Sequence, residues 1–260
     1  MKQVRFIPIE NCGLQVREAG EGQEQSRIVE GTPIVFGVRS VNLTPWSETR
    51  EVYEVLEPGC ITQELIERSD VILNLNHSSL VPDVLGRCRN GKGTLSLELN
   101  EKNIGCRCEL PNTNNANDTL ELMKRGDITG MSFAFSDDYQ DSENGVSYER
   151  TAETRDGKEV WLRHVKRITG LYDVSIVTHP AYEQTSVGTR EFGEAIDKAI
   201  DAQIAGEQQQ RNNPNEETPE QKAERERQEA EEMKEREMAT MRLRARRRHL
   251  TENQIENLSY

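Results

Sequence analysis

Histidine is scarce in this chain: His77, His164, His179 and His249 are the four among 260 residues. No His-x-x-x-His pair or carboxylate spacing supports a metal hydrolase built on His77, His164 and His179, and no cofactor is expected. Cysteine is sparse too, with five residues, an odd number at scattered positions. They read as reduced thiols of a cytosolic protein and exclude a disulfide framework. Long apolar runs are missing, so no stretch spans a bilayer and no membrane partner is expected. The opening Met1-Lys-Gln-Val-Arg-Phe6 does not read as a secretory signal. Hydrophobic residues make up 34% of the chain, enough for one medium domain with a real core plus a poorly buried remainder. Positive charge is in deficit: the net charge of −13 argues against a general nucleic-acid binder.

What is present is mostly short alternating apolar runs. Strands are expected at residues 4–9, 14–17, 34–38 and 51–56, with loops at 18–26 and 41–49. One short helix is expected over 61–68. A strand at 71–75 runs into Asn76-His77-Ser78-Ser79. The runs 85–89 and 95–99 flank Asn90-Gly91 and Gly93, which predicts a hairpin within a meander. Cys106, Cys108 and Leu110 share a strand face and read as small core residues rather than metal ligands. Residues 146–150 and 159–165 flank a second hairpin turn, Asp156-Gly157, and 171–177 is a β-prone run closed by Pro180. Composition changes near Arg190. Residues 191–219 read as a helix, with Ile196, Ala199, Ile200, Gln203 and Ile204 at helical spacing, and then a polar linker. Residues 220–260 read as a charged helical tail with a thin stripe of Met233, Met238, Met241 and Leu243. The tail is acidic first and basic last, which suits a solvated helix that could pair with another chain.

The chain is organised around Arg125-Gly-Asp-Ile-Thr-Gly-Met-Ser-Phe-Ala-Phe135. An amphipathic run over 118–125 stops at Gly126, as a helix does at a left-handed glycine. Gly130 is expected to turn the chain into a strand with Phe133 and Phe135 on one side and Ser132 and Ala134 on the other. Ser132 is thus a small hydroxyl on a rigid element, which suits a nucleophile that a base can reach. His77, at the end of an apolar strand, is a candidate base, since imidazole titrates near neutrality. Asp173, a lone carboxylate in an apolar strand, is the candidate third group.

Further motifs fall in order along the chain: Leu75-Asn-His77 with Leu85-Gly-Arg87; Gly93-Thr-Leu95; Glu109-Leu-Pro-Asn-Thr113; the run from Leu122 through Phe135; and Leu171-Tyr-Asp-Val-Ser-Ile-Val-Thr-His-Pro-Ala-Tyr182 with Thr185 and Ser186 beyond. Together they resemble the HK97-type prohead proteases of tailed phages, the capsid maturation proteases, over roughly residues 28–190. The resemblance implies a serine endopeptidase in residues 1–190 with a fold similar to herpesvirus assemblins: α+β, mostly β, a small closed β-barrel ringed by short helices. It implies Ser132 as nucleophile and His77 as general base. The family usually carries Glu where this chain has Asp173, one methylene shorter. Related viral proteases use a second histidine, so His164 and His179 stand as rivals to Asp173. The implied substrates are the scaffold protein, the scaffold-like region of the major capsid protein and the protease itself, through autocleavage, with self-association into an oligomer left open. The portal is a further partner left open. The implied place is the assembling prohead in the host cytoplasm. The competing expectation is a non-catalytic scaffold or assembly protein acting through the charged tail.

Overall fold

The computed structural model describes residues 2–6, 9–18, 26–178 and 190–212, with isolated positions of the tail at 227, 233, 234 and 238–240. His179, His249, the Pro180-Ala-Tyr182 block and most of the expected charged tail lie outside the described residues. In chain order the elements are β1 (Gln3–Phe6), α1 (Ile9–Cys12), β2 (Gln15–Val16), β3 (Ile28–Val35), β4 (Arg50–Leu56), α2 (Gln63–Arg68), β5 (Asp70–Leu75), β6 (Val84–Arg89), β7 (Lys92–Gly93), β8 (Leu95–Leu99), β9 (Asn103–Glu109), α3 (Asn114–Arg125), β10 (Gly130–Asp137), β11 (Val146–Arg155), β12 (Lys158–Val165), β13 (Ile168–Val177) and α4 (Arg190–Asn212). The chain forms two compact units, residues 1–200 and 201–260. The first takes in the opening turns of α4. There Ile196 and Ile200 are buried at the helical spacing the sequence carries.

The architecture is α+β and mostly β, in three sheets. One has six strands in the order β1-β10-β13-β5-β6-β7, one is β11-β12-β4, and one is β2-β3-β9-β8. Among the described residues no sheet closes on itself, so the closed barrel implied by the resemblance is corrected to open sheets. The reason lies at the edges of the large sheet. Its edge strands β1 and β7 are four and two residues long. After β7 the chain leaves at Gly93 to begin β8, which pairs with β9 in another sheet, so β1 and β7 stay the two edges of an open sheet.

The same departure corrects the expected meander. Asn90 (φ 52°) and Gly91 (φ 71°) do make a tight hairpin turn, but it joins β6 to β7, while β8 pairs with β9. Two glycines of the quoted motifs have structural roles here. Gly93 has φ +146°, and a Cβ on it would lie 2.0 Å from the Arg87 carbonyl oxygen. A Cβ on Gly86 would lie 2.4 Å from Cys108 Sγ. The expected strand at 34–38 is instead the end of β3, which stops at Val35 before Gly37 turns with φ +71°.

Helix α3 begins at Asn114, ahead of the expected start, and buries Ala116, Thr119, Leu120 and Met123. It ends at Gly126 with φ 81°, where the Gly126 N–H donates to the Met123 carbonyl at 3.0 Å and the Asp127 N–H to the Leu122 carbonyl at 2.9 Å. Left-handed glycine is the residue that accepts this geometry without a Cβ penalty. The chain then enters β10, all eight of whose residues are buried. Gly130, expected as a turn residue, is instead the first residue of β10 and pairs with Val177. Phe133 and Phe135 stack with centroids 5.0 Å apart and anchor the strand in the core. Burying such a side chain contributes about 1.5–3 kcal/mol.

Charged residues also lie in the interior. Arg5 Nε donates to Glu54 at 2.7 Å, Arg163 bridges Glu54 and Asp137, and Gln3 Nε2 donates to Asp137 at 2.8 Å. All five side chains are buried. Phe192 of α4 lies over both guanidinium groups, 5.1 Å from Arg5 and 5.6 Å from Arg163. This network ties β1 to β4, β12 and the end of β10.

Candidate active site

Strand pairing places three side chains on one face. β10 runs antiparallel to β13, with Ser132 opposite Ser175 and Ala134 opposite Asp173. Directly opposed residues project to the same side, as do residues two apart along a strand. Ser132, Ser175 and Asp173 therefore face together, with the small Ala134 leaving room between them. On the other side of β13, β5 runs parallel, with Asn74 beside Ser175 and Leu75 beside Ile176.

After Leu75 the chain reverses. Asn76 (φ 48°) and His77 (φ 57°) are both left-handed, an uncommon state for non-glycine residues that Asn and His tolerate best. Sparsely populated backbone of this kind persists where surrounding bonds hold it. Here the Asn76 N–H donates to the Ile176 carbonyl at 3.0 Å, and Asn76 Oδ1 accepts from the Thr178 N–H at 3.1 Å. The His77 N–H donates to Ser175 Oγ at 2.7 Å. Ser175 in turn donates to Asn74 Oδ1, and Asn74 Nδ2 donates to the Ser78 carbonyl at 3.1 Å. The following loop is fastened by Asp83, which accepts from Ser78 Oγ at 2.5 Å and from Asn115 Nδ2 of α3 at 2.7 Å.

The reversal swings the imidazole back over the face that carries Ser132 and Asp173. His77 Nδ1 lies 2.5 Å from Asp173 Oδ1, and His77 Nε2 lies 2.6 Å from Ser132 Oγ. A carboxylate only accepts, so Nδ1 carries the proton, and in the neutral imidazole Nε2 is bare toward the serine. The Ser132 hydroxyl has a second acceptor, the Arg5 carbonyl of β1, at 2.8 Å. With neutral His77 the hydroxyl proton points to Nε2. With protonated His77, Nε2–H donates to Oγ and the hydroxyl turns to Arg5. Ser132 is fully buried and the His77 side chain is 16% exposed.

Asp173 is buried, and burial pushes its carboxyl up. The hydrogen bonds from His77 and Lys2, together with their charge, push it down further, so the carboxyl ends below its ordinary value. The buried cysteines move the other way: burial pushes Cys60 and Cys106 up to about 12 and Cys12 and Cys108 up to about 11, which leaves them as thiols at neutral pH. Cys106 and Cys108 are core residues, as their strand face implied.

Of the rivals for the third position, His164 lies on β12 in a different sheet, with Nδ1 2.6 Å from Glu57 and Nε2 3.0 Å from Glu149. It is not brought to His77. His179 lies outside the described residues. Sequence reasoning passed over Lys2, the Arg5 carbonyl, Asn74, Asn76 and Ser175. Ser175 had a signal, its two-residue spacing from Asp173 in a strand. A backbone carbonyl leaves none.

A hydroxyl, an imidazole and a carboxylate joined in series form the arrangement of serine hydrolases, which recurs on unrelated folds. The chain belongs to the caudovirus prohead serine protease family, whose model matches residues 13–198. Among solved structures it is similar to the bacteriophage T4 capsid assembly protease, gp21, at 10% identity and a TM-score of 0.31, over 66% of this chain and 98% of that one. Among curated proteins none matches. No described helix is long and apolar enough to cross a membrane.

Proposed function

We propose that this chain is a serine endopeptidase of prohead maturation in which Ser132 is the nucleophile, His77 the general base and Asp173 the group that orients and charge-balances the imidazole. The observation that carries the proposal is the continuous hydrogen-bonded series Asp173–His77–Ser132, at 2.5 and 2.6 Å. Family membership supports the reaction class. His77 Nε2 takes the hydroxyl proton as Oγ attacks a peptide carbonyl carbon. The tetrahedral species collapses as Nε2–H gives that proton to the leaving amine. Water, deprotonated by the same nitrogen, then releases the acyl group and restores Ser132. Asp173 keeps Nδ1 as the protonated nitrogen throughout.

The substrates proposed are scaffold and major capsid proteins, with self-cleavage in the polar part of the chain after residue 190. Co-expression with those proteins tests this. Wild type is expected to process them, and Ser132→Ala to leave them full length while particles still assemble. Identical gel patterns from the two would favour the non-catalytic assembly alternative. Mass spectrometry of the chain from mature particles checks the self-cleavage, and a chain intact to Tyr260 counts against it.

A further inference from the structure

Both oxygens of the Asp173 carboxylate are engaged. His77 takes Oδ1 at 2.5 Å, and the Lys2 ammonium donates to Oδ2 at 2.8 Å. Lys2 Nζ also sits 5.7 Å from the centroid of the Tyr172 ring, which restricts an otherwise free side chain. Behind it β1 is pinned by the buried Arg5–Glu54 pair, so the Lys2 backbone has a fixed starting point. Lys2 precedes residues 13–198, so membership in the family does not supply this contact. We propose that Lys2 is a positioning residue of the site: it occupies Oδ2, leaves Oδ1 as the acceptor for Nδ1–H, and by its charge disfavours a second proton on His77. The inference rests on the roles proposed above for Ser132, His77 and Asp173.

The direction follows from charge. A carboxylate beside an imidazole favours imidazolium, and an ammonium on the far oxygen of that carboxylate works against it. A general base has to be neutral to accept a proton, so Lys2 extends activity toward lower pH. Among the described residues, Lys2 contacts Asp173 and Ser132 contacts His77, Ala134 and Ser175 share their face on β10 and β13, and Ile72 of β5 lies beside Asp173 in register. The Arg5 guanidinium is turned to Glu54. The Lys2 side chain is 52% exposed, so salt screens its effect.

The test is the rate at which the full chain is labelled by a fluorophosphonate between about pH 5 and about 9. In that step Ser132 Oγ bonds to phosphorus, fluoride leaves, and the hydroxyl proton passes to His77. Lys2→Met is expected to move the acid limb up by about half to one pH unit and to slow labelling below the limb roughly three- to tenfold. Its melting temperature should stay close to wild type, and Lys2→Arg should keep the wild-type limb. About 1 M salt should shift the wild-type limb toward that of Lys2→Met and leave the variant in place. A Lys2→Met limb that coincides with wild type overturns the inference, as does a Lys2→Arg limb that moves as far as the methionine's. Ser132→Ala separates the two levels. If it labels like wild type, the proposed roles of Ser132 and His77 fail; if it is silent while the Lys2→Met limb stays put, only Lys2 fails.

Discussion

The backbone N–H of His77 donates to the Ser175 hydroxyl at 2.7 Å, across 98 positions of sequence. That bond holds the imidazole's own residue in a left-handed conformation it would not choose alone. Ser175→Ala removes the acceptor of the His77 N–H and the donor to Asn74. Leaving such groups unmatched costs about 1–3 kcal/mol. Displacing the base by a fraction of an ångström is expected to slow fluorophosphonate labelling roughly 10- to 100-fold. A labelling rate within about twofold of wild type would show that the turn holds without Ser175.

Asp173→Asn keeps the shape but removes the charge and permits the wrong tautomer. Loss of activity by roughly 10³- to 10⁴-fold is expected in a labelling or peptide-cleavage assay. The same variant has a signature in stability. The folded-state carboxyl lies below its ordinary value, so its stabilisation is fully present above the unfolded pKa of about 3.9 and is lost as pH falls through the lowered value. Denaturation midpoints of wild type and Asp173→Asn should therefore differ at neutral pH and converge below about pH 4.

Arg163 holds two buried acids at once. Burial alone would lower its pKa, but the charges of Glu54 and Asp137 raise it above its ordinary value, so the group is a cation at any workable pH. Arg163→Met leaves both carboxylates facing an apolar stem. Breaking one partner out of a buried pair costs about 3–5 kcal/mol, to be read from urea unfolding. Arg163→Lys should recover only part of that loss, since one ammonium replaces a fork that reaches two acids.

Gly93→Ala places a Cβ against the Arg87 carbonyl in a backbone region that side chains rarely adopt. It is expected to destabilise by at least about 1–3 kcal/mol, and thermal unfolding measures it. Gly86→Ala meets the Cys108 sulfur instead. Pairing it with Cys108→Ala should recover part of the loss, because the obstructing atom is then gone.

Much of the fold was legible because its strands bury one or both faces, and a period of two carries that information. The Phe133/Phe135 pairing, the left-handed stop at Gly126 and the Asp156-Gly157 hairpin each have a local cause. Sheet membership does not: β7 and β8 are neighbours in sequence, yet one joins β6 and the other β9. Whether the large sheet closed depended on its edges, which no periodicity describes. At the site, His77, Ser132 and Asp173 could be nominated one by one, since each has the chemistry. Register separates Asp173 from His164, by putting one opposite Ala134 on the strand of Ser132 and the other in a different sheet. Lys2 meets Asp173 across 171 positions, a distance at which local pattern is silent.

The five thiols, all buried, offer a use unrelated to catalysis. A folded molecule presents none of them to an alkylating reagent, whereas an opened one presents every one. A brief pulse of iodoacetamide, followed by an intact-mass spectrum, would thus count the fraction of the population that has come apart. It would serve as a clock for unfolding that needs no knowledge of what the protein cuts.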